Sequence, residues 1–322
     1  MGEIFVIAEH RQGTVRDITF QMLWKADELC RRLSHSLTVV LIGGKDLPFK
    51  NELKERADTV ISIEDDRLEH FDADTYKYLI SGLINERRPF LTLIGHTPWG
   101  MDLAPSLAVK LGLPIASDCV DILVEDGALK AMRQIYSGKL FSKVAFKPSP
   151  GYVITIRPGS FPVDKAGDRH GEALAMQTPS DIPEPRKKFL EFTDSGAGET
   201  DISQADFLVS VGRGVGEKEN IAIVKELADL MRAVISCSRP VVDKNWLPKF
   251  HQVGTSGKSV KPRIYLALGI SGAFQHVAGI TGAGTVIAVN KDRKAPIFRV
   301  ADYGVADDLF KVVAALKEKV KK

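Results

Sequence analysis

The sequence predicts an α/β protein in two parts: an N-terminal α/β domain on a parallel sheet with antiparallel strands appended, then a Rossmann-like α/β domain. Three observations predict it. The chain has 322 residues, and at ~100 to 200 residues per domain that length favours two domains over one. The first hundred residues alternate short apolar, β-branched runs with segments of helical period, the pattern of parallel strands joined by crossover helices. That rhythm gives way to extended runs divided by Gly, Pro and Asp-Gly turns from about Pro114, and it resumes after residue 205.

Taken in order, residues 4–8, 37–42, 59–63 and 90–94 read as strands. Between the first two, Ile18, Met22, Ala26, Leu29 and Leu33 recur every three or four residues, which places them on one side of a helix. Residues 115–124, 131–136, 143–146 and 152–156 read as antiparallel strands closing the first domain. Residues 178–203 mix Pro, Gly, Ser and both charge signs with little periodicity and read as a linker, with Phe189, Leu190 and Phe192 able to pin its middle to a surface. The boundaries drawn are 1–190 for the first domain, 191–204 for the linker and 205–322 for the second domain.

In the second domain, residues 207–211 read as a strand, followed by Ile223, Leu227, Leu230 and Val234 on one helical face. Further strands are expected at 264–270, 285–289 and 297–301. A C-terminal helix carries Val305, Leu309, Val312, Val313, Leu316 and Val320 on one stripe, with Asp307 and Asp308 in its first turn and lysines at its end.

Composition excludes several classes of function. A hydrophobic fraction of 44% with 26% charged residues is that of a globular protein with a full core, not a disordered one. Lys and Arg number 44 against 41 Asp and Glu, so no strong field would hold the chain on nucleic acid or anionic lipid. No run approaches the ~18 apolar residues of a membrane helix, and the first residues lack the basic flank of a signal peptide. Cys30, Cys119 and Cys237 are few, odd in number and far apart, so neither a disulfide framework nor a CxxC metal site is indicated. A soluble protein in a reducing compartment, the cytoplasm, is expected.

Chemistry is concentrated in three glycine-rich turns of the second domain, each read as directly following an expected strand. The first is Gly212 Arg213 Gly214 Val215 Gly216. The third glycine of the dinucleotide fingerprint would fall at Glu217, so the turn is either a plain strand-to-helix connection or a ligand loop with Arg213 as a fixed cation. The second is Gly269 Ile270 Ser271 Gly272 Ala273, followed by Phe274, Gln275 and His276. An anion, or a ring that gains negative charge on reduction, would be stabilised there by a helix N-terminus and a donating imidazole; the alternative is a capped helix with a surface histidine. The third is Gln252 Val253 Gly254 Thr255 Ser256 Gly257 Lys258, whose spacing fails the Walker A pattern. Ser238 and Arg239 add a second arginine where such a sheet ends. Together, in roughly a hundred residues along one α/β sheet edge, these turns suggest a bound dinucleotide.

Elsewhere there is no GxSxG, HExxH or CxxC pair, and the seven histidines are dispersed. Residues 96–102 either form a small-ligand pocket or a structural turn whose Trp99 packs on the core. Trp246 reads as a packing anchor.

The ordered motifs VGRG, SRPVVD, QVGTSGK, LGISGAFQH, VIAVNKD and APIFRVADYG, with DLAPSLAVKLGLPIASDC and TIRPGSF in the first domain, closely resemble the electron transfer flavoprotein α subunit over nearly the whole chain. The resemblance implies an FAD-based electron carrier rather than an enzyme. It implies a heterodimer with a β subunit touching the N-terminal domain, FAD held mainly by the second domain, flavin dehydrogenases such as acyl-CoA dehydrogenases as donors, and a quinone oxidoreductase or other acceptor. Electron bifurcation with a second flavin in the β subunit is left open. Carried over position by position, the implied FAD contacts are Arg213, Ser238, Arg239, Gln252, Val253, Gly254, Thr255, Ser256, Ser271, Gly272, Ala273, Phe274, Gln275, His276, Asn290, Asp308 and Leu309. Ser256 would lie near flavin N5, Arg239 over the ring, and His276 at the edge where charge accumulates. Thr255 and Ser256 stand where many members have glutamine and threonine; serine keeps the hydroxyl without the stiffness of a β-branched side chain. Two rival readings are an NAD-dependent α/β oxidoreductase, which should show a fuller GxGxxG and a substrate base, and a non-redox interaction protein retaining the fold.

Overall fold

The computed structural model of the chain describes residues 2–125, 127–136, 140–163, 169–185, 187–191 and 201–320. The chain divides into two compact units, Met1–Glu191 and Phe192–Lys322.

The first unit runs β1 (Glu3–Ile7), a small ribbon of β2 (His10–Arg11) and β3 (Thr14–Val15), α1 (Asp17–Leu33), β4 (Ser36–Gly43), α2 (Lys50–Lys54), β5 (Thr59–Glu64), α3 (Ala73–Arg87), β6 (Leu91–Gly95), α4 (Pro98–Leu111), β7 (Ile115–Glu125), β8 (Ala128–Ile135), β9 (Leu140–Ala145), β10 (Tyr152–Ile156) and β11 (Glu172–Met176). Among the described residues these build a nine-stranded sheet in the order β11-β5-β4-β1-β6-β10-β7-β8-β9. Pairing is parallel from β11 to β7 and antiparallel from β7 to β9. Period-two alternation splits the central strands between two cores. Ile4, Val6, Val39 and Leu93 meet Met22, Leu23 and Leu29 of α1, while Phe5, Ile7, Val40 and Ile42 meet Tyr76 and Ile80 of α3 and Leu107 of α4.

Residues 152–156 correct the sequence reading: the strand is parallel, between β6 and β7, and not part of the antiparallel extension. Val153 and Ile154 are fully buried, as a strand covered on both faces requires; the preceding Pro-Ser-Pro-Gly turn disguised this as another hairpin. Helix α3 is one of the crossover helices the sequence pattern implies, whereas strand β11 is an addition to it. Residues 96–102 form the structural turn that opens α4, with Trp99 packed beside Phe71 and Tyr76 of the core. Thr97 Oγ1 accepts from the Gly100 N–H at 3.3 Å and donates to Glu9 Oε2 at 2.6 Å, and Trp99 stacks on Phe71 at 4.3 Å. Of the expected linker, 192–200 lie outside the described residues. Residues before them pack on the first unit: Tyr78 Oη donates to Asp181 at 2.7 Å, and Phe189 stacks on His70. On the far side, Ile202 is already buried in the second unit's core.

The second unit runs β12 (Phe207–Val211), α5 (Ile221–Leu230), β13 (Val234–Cys237), α6 (Arg239–Asp243), β14 (Ile264–Leu268), α7 (Phe274–Val277), β15 (Thr285–Val289), β16 (Tyr303–Val305) and α8 (Leu309–Val320). Its sheet is wholly parallel, in the order β13-β12-β14-β15-β16. This is the doubly wound order 2-1-3-4-5, whose direction reverses between β12 and β14. One face packs on Val224 and Leu227 of α5 and Leu309 and Val313 of α8; the other carries Leu208, Tyr265, Ala267 and Ala288.

Three further corrections concern element ends. Val234 begins β13 rather than continuing α5. Residues 297–301 are not a strand: Pro296–Arg299 form a 3₁₀ turn, because proline presets the helical φ and the Ile297 N–H is drawn to the Ser271 carbonyl at 3.0 Å. Val305 lies in β16, and Asp308 precedes α8 as its cap, with Oδ1 accepting from the Phe310 N–H at 2.8 Å.

Candidate functional site

The loops that follow β12, β13, β14 and β15 leave the sheet at its carboxyl edge, and the reversal of winding between β12 and β14 opens the crevice where such sheets take ligands. The backbone there is unusually close. The Gly212 N–H donates to the Leu268 carbonyl at 2.8 Å and the Gly214 N–H to the Gly269 carbonyl at 3.0 Å; a Cβ on Gly212 would lie 2.2 Å from the Gly269 oxygen. Glycine is needed here for approach rather than for dihedral freedom at Gly212.

The 252–258 loop is latched to its neighbours. Val253 N–H donates to the Cys237 carbonyl at 2.9 Å, Thr255 N–H to the Gln275 carbonyl at 2.8 Å, and Lys258 N–H to the Gln252 carbonyl at 2.7 Å. Gln252 is buried and its Nε2 donates to Ser256 Oγ at 2.8 Å, so the exposed hydroxyl is held from below in place of the missing β-branch.

The sequence-derived candidates sort into three groups by what their side chains do. Arg213, Arg239, Thr255, Ser256, Ser271, Ala273 and Gln275 are exposed at the edge, and Phe274 is half-buried beside them. Among the described residues Arg213 has no carboxylate partner, and Arg239 has only Asp243, at 3.4 Å. Asn290 and Asp308 are engaged internally: Asn290 Nδ2 donates to the Ile270 carbonyl at 2.9 Å, and Asp308 caps α8. Leu309, Val253, Gly254, Gly272, Ser238 and Gln252 are buried and shape the loops. The helix expected after Ser271 is only the four-residue α7, too short to supply a strong helix-end field.

His276 is buried, not a surface residue. Its Nε2 lies 2.8 Å from the hydroxyl of Tyr265, a residue the sequence reading passed over because it sits mid-strand among apolar neighbours. Nδ1 has no hydrogen-bond partner; the Val253 carbonyl favours a proton on the ring without reaching hydrogen-bond geometry with Nδ1. Burial pushes the His276 pKa down to about 4, so the ring is neutral at pH 7. Burial likewise lowers the pKa of His10 and of His96. Because the unfolded chain binds protons below ~6.5 that these folded rings refuse, stability should be complete above that pH. It should fall as pH drops toward 4, by roughly 1.4 kcal/mol per unit for a fully refused proton. Chemical denaturation from pH 7 to 4.5 checks this, and His276→Gln should flatten the slope of the second unit.

Cys237, at the end of β13, is buried with its thiol pushed up to about 12, as are Cys30 and Cys119. None is a reactive thiolate. Among the described residues no group of three or more His, Cys, Asp or Glu could hold a metal ion, and no helix is long and apolar enough to cross a membrane.

A parallel sheet with glycine-lined loops at its switch point and two arginines at the rim has the form of a binding domain for a nucleotide-type cofactor. Residues 4–180 match the electron transfer flavoprotein domain and residues 201–281 the electron transfer flavoprotein FAD-binding domain. The chain is 38% identical over 327 residues to the electron transfer flavoprotein subunit alpha of Clostridium acetobutylicum (99% of this chain, 96% of the relative). It is 37% identical over 318 residues to protein FixB of Clostridium saccharobutylicum (97% and 94%). It is 36% identical over 326 residues to the alpha subunit of Bacillus subtilis (100% and 98%). The chain belongs to the electron transfer flavoprotein α subunit family, and its cofactor is FAD.

The residues present fit that group. Gly212, Gly214 and Gly269 let the two loops pack backbone to backbone at the carboxyl edge, and Arg213 stands exposed beside them with no carboxylate partner among the described residues, a cation suited to a phosphate.

Proposed function

We propose that this chain is the FAD-holding α subunit of a heterodimeric electron carrier. It takes electrons from flavin dehydrogenases, such as acyl-CoA dehydrogenases, and hands them to a quinone oxidoreductase or another acceptor in the cytoplasm. The observation that carries the reading is the switch-point cradle of Gly212, Gly214 and Gly269 flanked by Arg213 and Arg239. Bound FAD supplies one- and two-electron chemistry; the protein's part is to hold it and set its potential. In this reading Arg213 pairs with the phosphates, Ser256 offers its hydroxyl to the ring, and Arg239 and His276 supply positive charge and a hydrogen bond where negative charge gathers on reduction. The side chains of Asn290 and Asp308 hold the Ile270 carbonyl and the start of α8, so their role is to fix the loops.

The β subunit is the expected partner of the first unit. Tyr136, Leu140 and Phe141, at the ends of β8 and β9, are exposed at 74%, 54% and 61%, apolar surface of the kind that partners cover.

Co-expression with the β subunit tests the proposal. A yellow complex carrying close to one FAD per α chain, reduced by a substrate-loaded flavin dehydrogenase and reoxidised by the acceptor, is the expected outcome. A colourless complex, or one whose flavin no dehydrogenase reduces, would overturn it. Titration with NADH decides whether the complex also bifurcates electrons.

A further inference from the structure

Beneath the 252–257 loop the sheet of the second unit carries a small polar floor. Ser210 and Ser236 are register partners on β12 and β13, and Tyr265 enters from β14 on the same face. All three are fully buried. A buried phenol needs a partner for its proton. Neither Ser210 Oγ nor Ser236 Oγ makes a hydrogen bond of ordinary geometry, although both hydroxyls lie near enough to the phenol to interact with it as weak hydrogen-bond partners. The one hydrogen bond of ordinary geometry that the hydroxyl makes is with Nε2 of His276, at 2.8 Å.

We propose that Tyr265 is a positioning residue: its hydroxyl donates to Nε2 of His276 and holds the imidazole as the Nδ1–H tautomer, with the ring's free N–H on the side away from the phenol. A neutral imidazole has one donor and one acceptor nitrogen, so occupying Nε2 as acceptor places the proton on Nδ1. The reverse arrangement, Nε2–H donating to the phenol oxygen, would leave the other ring nitrogen bare and give the Val253 carbonyl, which can only accept, no second N–H to favour. The position of the Val253 carbonyl agrees, since it favours a proton on the ring.

The consequence for FAD rests on the function proposed above: a donor at His276 stabilises the reduced ring through a hydrogen bond, not through a full charge. The tautomer itself does not rest on that reading and is measured without it. In the full chain co-expressed with its β subunit and labelled with ¹⁵N-histidine, the His276 resonances should show a protonated Nδ1 and a bare Nε2. Tyr265→Phe should raise the share of Nε2–H roughly tenfold, the scale set by one hydrogen bond. In FAD-loaded complex the same variant should have a lower flavin potential with unchanged FAD content. A wild-type spectrum with the proton on Nε2 overturns the assignment, as does a Tyr265→Phe spectrum or potential identical to wild type. If that variant does not fold, the wild-type spectrum alone decides. A complex that binds no FAD but shows the Nδ1–H pattern would overturn the carrier reading and leave the tautomer standing.

Discussion

Gly272→Ala is expected to destabilise the second unit by roughly 3 kcal/mol or more and to abolish FAD binding. Two effects combine. Gly272 has φ of 80°, a left-handed conformation that costs a residue with a Cβ about 1–2 kcal/mol. The added Cβ would also lie 2.3 Å from the backbone nitrogen of Ile297 and 2.4 Å from its Cα. That backbone cannot yield easily, because its N–H is bonded to the Ser271 carbonyl at 3.0 Å and its side chain is fully buried. Gly216→Ala separates the two effects: φ is 85°, yet the nearest atom to a new Cβ is the Asn220 side-chain nitrogen at 3.8 Å. Only the backbone cost of φ 85° and ψ −68°, about 1–3 kcal/mol, should appear there. Denaturant midpoints and FAD content of the two variants give the comparison. Equal losses would show that close backbone approach is not what Gly272 provides.

The same contrast explains what was legible in the sequence. Strands β1, β4, β5, β6, β12, β14 and β15 stand out because each is a short apolar run between turn signals, and the site loops because glycines gather at their ends. The side-chain pattern of β10 is equally apolar, but parallel and antiparallel neighbours cannot be told apart from one strand's own residues. Residues 297–301 have strand-like composition, but Pro296 just before them presets a helical φ, and the Ser271 carbonyl, 26 positions away in sequence, draws in the Ile297 N–H to complete the turn. Tyr265 was invisible for a related reason: its partner is fixed by how α7 lies on the sheet, not by spacing. His276 was found as a donor near glycines, but its burial and its lowered pKa are properties of packing.

Arg239→Ala should lower the reduction potential of bound FAD while leaving the fold intact. Arg239 opens α6 with its side chain 68% exposed, and its one ionic partner, Asp243 at 59%, lies 3.4 Å away. An exposed pair of this kind contributes roughly 0–1 kcal/mol to stability, so the melting temperature should barely move. The potential responds differently. Reduction adds negative charge to the ring, and a guanidinium nearby stabilises the reduced form relative to the oxidised one; its removal therefore moves the potential down. Each ~1.4 kcal/mol of that difference corresponds to about 59 mV in a one-electron step. Arg239→Lys keeps the charge but not the planar fork, so it should recover part of the loss if charge dominates and little if stacking does. Added salt should narrow the gap between wild type and Arg239→Ala, because an exposed charge is screened within about 10 Å at 0.1 M. A redox titration of the FAD-loaded heterodimer at low and high salt measures all three effects. A potential unmoved by Arg239→Ala, with FAD still bound, would remove this arginine from the ring's surroundings and leave Arg213 as the cation of the site.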